Sequence, residues 1–326
     1  MEATSTTASP AAPGIAIRDR APVGDWIFRI ALTAAALVIP VLLVFLGLEL
    51  HDGARLAMHK FGFEFLTRSI WDPVAEDFGA LPLIFGTLLS SAIALLIAVP
   101  LSLGVAIFLT EFCPKALRQP VAFMVELLAA IPSVVYGLWG IFVLMPILRK
   151  LVFPLLRDVL GFLPLFKGPI YGPSMLAASI ILSIMVMPYI MAVSREVLLA
   201  VPGSQREAAL ALGATRWEAV RTAVLPYART GILGAIVLGL GRALGETMAV
   251  TMLIGNRHEL AASLFAPGYT MAAAIANEFS EAATDMHFSA LAYVALVLFL
   301  MTLLVNAAAR LMIWRVSRSG SAGGRH

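Results

Sequence analysis

Apolar residues run along this chain in six long stretches, roughly 27–48, 81–109, 121–148, 173–194, 231–255 and 288–309, with polar segments between them. Each is long enough to cross a hydrocarbon core of about 30 Å as a helix, which takes about 20 residues. The second and third are longer than necessary, so the pattern predicts tilt, kinks or extension beyond the lipid. Prolines fall inside several of the stretches (Pro40, Pro100, Pro132, Pro146, Pro188). A bundle tolerates them because neighbouring helices satisfy the carbonyls that a proline frees. Trp26 and Trp314 flank the first and last stretches, as interface anchors do.

Composition strengthens the membrane reading. Of 326 residues, 60% are hydrophobic and 13% charged, where a soluble domain carries about 45–50% and about 25%. With the N-terminus placed in the cytoplasm, the inner segments hold 14 Lys/Arg, counting Arg29 at the inner edge of the first stretch, against 7 Asp/Glu, and the outer segments 8 against 11. The bias of basic residues toward the inner side puts both termini in the cytoplasm. Residues 1–25, rich in Ala, Thr, Ser and Pro, read as a disordered tail, and 317–326 as a second, shorter one. Between them, 26–316 form one transmembrane domain, all-α with six spans, surrounded by lipid and without affinity for nucleic acid. Cys113 is the one cysteine, which excludes a disulfide within the chain. The five histidines have no ligand spacing, and no metal or other cofactor is expected in the chain.

The polar segments differ in character. Three external ones, 49–80, 149–172 and 256–287, exceed the usual helix connection of about 2–8 residues. They suit docking of a partner or lie as plain connectors on the membrane. Within the third, "YTMAAAIANEFSEAATDMH" reads as a short helix ending in acids. The inner loop 195–230 is the longest on its side. Pro202-Gly203-Ser204 reads as a turn, with Ser204 capping a helix over Gln205–Leu212 and Glu207 in the capping-box position. Gly213 ends that helix, Thr215 with Glu218 caps a second over Arg216–Val224, and Pro226 marks the next boundary. The pattern fits either docking into a partner's groove, using the small residues Ala208, Ala209, Ala211 and Ala214, or an amphipathic hairpin on the bilayer. No G-x-x-x-x-G-K-[ST] occurs, so ATP binding by a Walker-type loop is excluded.

Two charges stand inside the fifth stretch, in "GLGRALGETMAV" (239–250). Counted from Gly231, Arg242 lies about 16 Å along a helix, half the hydrocarbon core, with Glu246 one turn further on the same face. An arginine at that depth costs about 2.5–3.5 kcal/mol and so faces protein or water. A structural salt bridge is one reading, but a buried pair at best breaks even against apolar packing. The other reading puts Arg242 on the path of an oxyanion, which its planar fork suits, with Glu246 holding the guanidinium when the anion is absent. Thr247 and Ser133 are candidate pathway hydroxyls, although such groups commonly bond their own backbone. Gly241 and Gly245 form G-x-x-x-G, which lets another helix approach. Glu126, in the third stretch, pairs with an arginine or lines an inner gate.

The loop "EAALALGATRWEAVRTAVLP" resembles the EAA loop of ABC importer permeases, on Glu207, Ala208, Ala209, Gly213, Leu225 and Pro226, with Ala223 where that family usually has Ile. "GLGRALGETMAVTMLIGN", "ELLAAIPSVVYGLWG" (126–140) and "AIANEF" (274–279) resemble the PstC-type permease subunit of phosphate-specific ABC importers, over about 63–314. The resemblance implies the type I importer fold in a bacterial inner membrane. It implies a homologous second permease (PstA type), two ATP-binding subunits (PstB type) that hold ATP and Mg, and an extracytoplasmic phosphate-binding protein (PstS type). The loop then couples to an ATPase subunit. Sulfate or molybdate is the alternative cargo. An ion-coupled secondary transporter would leave the Glu-Ala-Ala loop unexplained, and a non-transporting scaffold or sensor would show no substrate flux in vesicles reconstituted with the ATPase.

Overall fold

The computed structural model describes residues 23–322, with side chains from 25 to 315. The predicted N-terminal tail therefore lies almost wholly outside the described residues. Among the described residues six helices are long and apolar enough to span a membrane: Asp25–Gly53, Leu81–Phe112, Ser133–Leu160, Met175–Leu199, Arg216–Leu244 and Asp285–Arg315, the last continuing to Ala322. Among the described residues the only strands are Trp71–Asp72 and Asp77–Phe78, which pair antiparallel.

Contacts divide the chain at Leu48. The described part of the first unit is the first span as far as Leu48, a helix with Pro40 inside it and no buried residue in its apolar window. The second unit, from Glu49 onward, is organised around the fourth span. Two thirds of that span's apolar window is buried, against a third or less for the others. Small residues set the packing distance, as expected where lipid removes the hydrophobic drive between helices. Ala94 and Ala98 of the second span and Ala235 of the fifth pack with Ile181, Leu182, Val186 and Ile190 of the fourth. A Cβ added at Gly239 would come within 2.6 Å of Ile190.

Two spans start and end where hydropathy did not place them. The stretch expected over 121–148 is cut at Ile131-Pro132, where Ile131 is extended (ψ 130°). The residue before a proline is pushed out of the helical region, so the helix must stop there. A separate helix, Lys115–Ala130, precedes the cut, and the third span proper begins at Ser133. The fifth span begins at Arg216 inside the predicted loop and ends at Leu244, not Gly255. Gly245–Thr247 follow as a break, and then comes a short helix, Met248–Ile254.

Pro226 forms no boundary, contrary to expectation. The helix runs straight through it from Arg216, because residues 220–224 widen into a π-helical turn just ahead. The same device recurs where π turns end at Leu144 and Val152, each two residues before Pro146 or Pro154; a further π turn ends at Phe112, but there the chain leaves the helix at Cys113 before Pro114. A proline cannot donate to the ladder and crowds the carbonyl behind it. A wider turn shifts that carbonyl away.

Candidate functional site

Arg242 occupies the last turn of the fifth span and Glu246 the break beyond it, so they do not share one helical face as expected. They meet nonetheless: Arg242 Nη2 lies 3.8 Å from Glu246 Oε2. The charges suit their places. The end of a helix exposes carbonyls that favour a cation, and the start of the next exposes N–H groups that favour an anion. Glu246 Oε1 accepts a long hydrogen bond, 3.4 Å, from the Ala249 N–H. Burial is unequal: the Glu246 side chain is 6% exposed and Arg242 37%. A buried carboxylate thus holds one side of a guanidinium whose other side is open.

Tyr189 completes the site. The Arg242 guanidinium carbon sits 4.9 Å over its ring, within cation–π range. Tyr189 is near the middle of the 25-residue fourth span, which places the arginine at half height in the bundle. Its hydroxyl donates to the Ala129 carbonyl at 2.8 Å, and Tyr136 donates to the Leu128 carbonyl at 2.8 Å. Both carbonyls lie in the last turn before Pro132, where the i+4 donors are missing; Leu128 keeps a 3.3 Å bond from the Ile131 N–H besides. Sequence reasoning missed Tyr189; the one signal was a hydroxyl-bearing aromatic after a proline in an otherwise apolar span.

The other predicted site residues are distributed around this centre. Thr247, in the same break, bonds its own backbone at the Gly245 carbonyl, 3.4 Å away. Ser133 opens the third span at the break that Tyr189 braces, and is half-buried. Gly241 and Gly245 receive no close neighbour within the chain: a Cβ on Gly241 would find only Asn306 at 4.0 Å. The intrachain close approach is at Gly239. Glu126 pairs with Arg195 at 2.9 Å.

In the loop, a nine-residue helix runs over Gly203–Ala211. Its cap residue is Pro202 with no side-chain bond, so Ser204 lies within the helix instead of capping it. Gly213 does end it, at φ +87°, a conformation glycine adopts without strain. The Ala214 N–H reaches back to the Ala209 carbonyl and the Gly213 N–H to Leu210, as in a Schellman ending. Thr215 and Glu218 form the expected capping box. Glu207 and Ala208 are exposed, Ala209 is half-buried, and Leu212 is 90% exposed. Leu225 is half-buried and Pro226 exposed on the continuing helix.

At the opposite end a second polar group gathers around Glu278, the acid that ends the short helix Met271–Glu278 as the pattern predicted. Trp71 Nε1 donates to Glu278 at 2.7 Å, and His258 and His287 lie 3.1 and 3.3 Å from its two oxygens. Trp71 stacks on His258 at 5.1 Å. Burial raises the Glu278 carboxyl, but the contacts from His258, Trp71 and His287 outweigh it, holding its pKa below the ordinary glutamate value. Burial pushes the neighbouring Tyr269 phenol up to about 12. Linear spacing could not show this cluster, because it joins Trp71 of one connecting segment to residues spread from 258 to 287 in another, beside a cavity of about 720 Å³.

Residues 98–318 match the family of binding-protein-dependent transport system inner membrane components. The fold and this match define the class: a membrane component of an ABC importer, and not its ATPase. A solved chain of the bacterial alginate ABC transporter shares the fold, with a TM-score of 0.60 at 19% identity over 90% of this chain and 98% of that one. The chain is 49% identical over 302 residues to the phosphate transport system permease protein PstC of Mesorhizobium japonicum, covering 91% of this chain and 92% of that protein. It is 44% identical over 297 residues to PstC of Haemophilus influenzae, covering 90% and 94%. The chain belongs to the PstC family of phosphate transport permeases.

Proposed function

We propose that this chain is one half of the membrane pathway of an ATP-driven phosphate importer. The observation that carries the reading is its near full-length identity with PstC proteins of other bacteria. An open guanidinium at mid-span supports it, since a planar fork of donors suits a tetrahedral oxyanion. In this reading Arg242 meets phosphate in transit and Glu246 takes the guanidinium back when the anion leaves. A free cation would trap the anion; the carboxylate 3.8 Å away competes with it. Thr247 and Ser133, at the two helix breaks, are further pathway hydroxyls. Gly241 and Gly245, without close neighbours in the chain, are left for a homologous second permease.

The loop helix faces an ATPase subunit in the cytoplasm, with Glu207, Ala208 and Ala209 at the contact and Gly213, Leu225 and Pro226 setting its shape. Its exposed Leu212 and Trp217 suit burial against a partner. Two such ATPase subunits supply ATP and Mg, both chain termini lie on their side, and an extracytoplasmic phosphate-binding protein delivers cargo at the opposite end. The deciding experiment is uptake of labelled phosphate by the reconstituted complex with and without ATP, with sulfate as competitor. ATP-dependent uptake that sulfate leaves unchanged is expected. Equal competition by sulfate points to a broader oxyanion permease, and uptake driven by an ion gradient without ATP refutes the class of mechanism.

A further inference from the structure

Arg206 lies one residue before the Glu-Ala-Ala triplet and spreads its guanidinium across a carboxylate and two backbone carbonyls. Its Nε and Nη2 grip the Glu111 carboxylate at 3.0 and 2.9 Å, side on. Glu111 belongs to the last turn of the second span. Nη1 donates to the Val201 carbonyl at 2.6 Å and Nη2 to the Leu198 carbonyl at 2.8 Å, both at the end of the fourth span. Carbonyls at a helix end lack the i+4 donor that the helix interior supplies, and Leu198 otherwise has only short backward bonds such as that from the Val201 N–H at 3.3 Å. The Arg206 side chain is 24% exposed and Glu111 14%, so the pair is shielded from competing water and salt. Beneath it Leu109, Cys113, Leu198 and Val201 pack with Val224 and Ala228 of the fifth span. Without Arg206 the loop helix would hang from the fourth span by Ala200, Val201 and Pro202 alone.

We propose that Arg206 is a positioning residue for transport. It fastens the loop helix to the second and fourth spans as one body, so that displacement of the loop by an ATPase moves both spans. The proposal rests on the reading that the loop docks on an ATPase. Planarity is essential to it: a guanidinium can hold a carboxylate side on and two carbonyls together, whereas a lysine ammonium is a single point with three donors.

The test uses the full complex in proteoliposomes and measures phosphate imported per ATP hydrolysed. Arg206→Ala and Glu111→Gln are expected to lower that ratio tenfold or more while the ATPase subunit still co-purifies and hydrolyses ATP. Arg206→Lys, which keeps the charge, is expected to recover only part. An unchanged ratio in Arg206→Ala overturns the proposal. Loss of co-purification also overturns it, because Arg206 would then be maintaining the docking surface. The docking reading is checked separately by cross-linking from Ala211→Cys, an exposed position; native Cys113 is buried. If that thiol fails to reach the ATPase in the otherwise unchanged complex, the docking reading falls and takes the proposal with it.

Discussion

Replacing Arg242 by alanine removes a forked cation from mid-span, and the geometry sets the size of the effect. Two hydrogen bonds from a guanidinium to an anion contribute about 1.5–3 kcal/mol each. Against this, taking the guanidinium from Glu246 at 3.8 Å costs between about 1 kcal/mol in water and about 4 kcal/mol at an effective dielectric of 20. The 37% exposure of Arg242 puts the cost toward the lower figure. Stacking on Tyr189 contributes about 1 kcal/mol more in the resting pair. The net grip on the anion is then about 2–3 kcal/mol, or roughly 30- to 150-fold. Arg242→Ala should therefore cut ATP-dependent phosphate uptake in proteoliposomes by at least that factor, and Arg242→Lys nearly as much because it lacks the fork. Glu246→Gln should hold the anion more tightly and turn over more slowly. Arg242→Ala also leaves the Glu246 carboxylate buried without its partner, and breaking a buried pair from one side costs about 3–5 kcal/mol. The double variant Arg242→Ala, Glu246→Gln controls for this: it should assemble like the wild type and still not transport. Normal uptake by either variant lacking Arg242 would refute the pathway role.

Close approach and charge supply two further tests. A Cβ on Gly86 would lie 1.9 Å from the Tyr269 carbonyl oxygen, where the connection after the fifth span crosses the second. Gly86→Ala must push that backbone away, and with it the bond from the Met271 N–H to Thr87 at 2.9 Å. It should cost about 1–3 kcal/mol and lower the unfolding temperature in detergent by several degrees; an unchanged temperature would show that the crossing gives way freely. Glu278 is held below the ordinary glutamate pKa, so its charge is favoured more in the folded chain than in the unfolded one. Its stabilisation is therefore complete above about pH 4.3 and is lost as pH falls through the lower folded value. Amide exchange over 271–279 should accelerate in acid below pH 4 in the wild type. In Glu278→Gln it should already be fast at neutral pH, and identical profiles in the two proteins would remove Glu278 as the tie.

The sequence revealed whole elements better than their ends. Four of the six spans lie within several residues of their apolar stretches, because lipid leaves no other place for 20 apolar residues. The third and fifth were misplaced for one reason. Hydropathy averages over a window, and both Ile131-Pro132 and Gly245–Thr247 are flanked by apolar residues on each side. Prolines were ambiguous too: Pro132 stops a helix while Pro188 and Pro226 sit inside one, and the residue type alone does not separate the cases. The capping box at Thr215 and the glycine at 213 were legible because they are local. Arg206 with Glu111, Arg242 over Tyr189, and the histidines around Glu278 were not, since their partners come from distant segments.

The break after Leu244 alters what the Arg242–Glu246 pair can do. On one continuous helix their separation would be fixed but for side-chain rotamers. Instead each charge stands on a different body. Arg242 rides a 29-residue helix that starts at Arg216 in the loop, a rod of roughly 40 Å. Glu246 leads into the helix Met248–Ile254, which is packed against the third span with Met252 on Gly137 and Leu253 on Gly140. Gly245, the joint, is exposed, and its nearest outside atom to an added Cβ is 3.7 Å away, so the joint has room to turn. A push on the loop displaces Arg242 directly along its own rod, and reaches Glu246 only through the joint or through the third and fourth spans on which Met248–Ile254 packs. The pair at 3.8 Å should accordingly be found apart in the complex trapped with ATP bound, and a structure of that state with the same separation would show that the rod and the third span move as one.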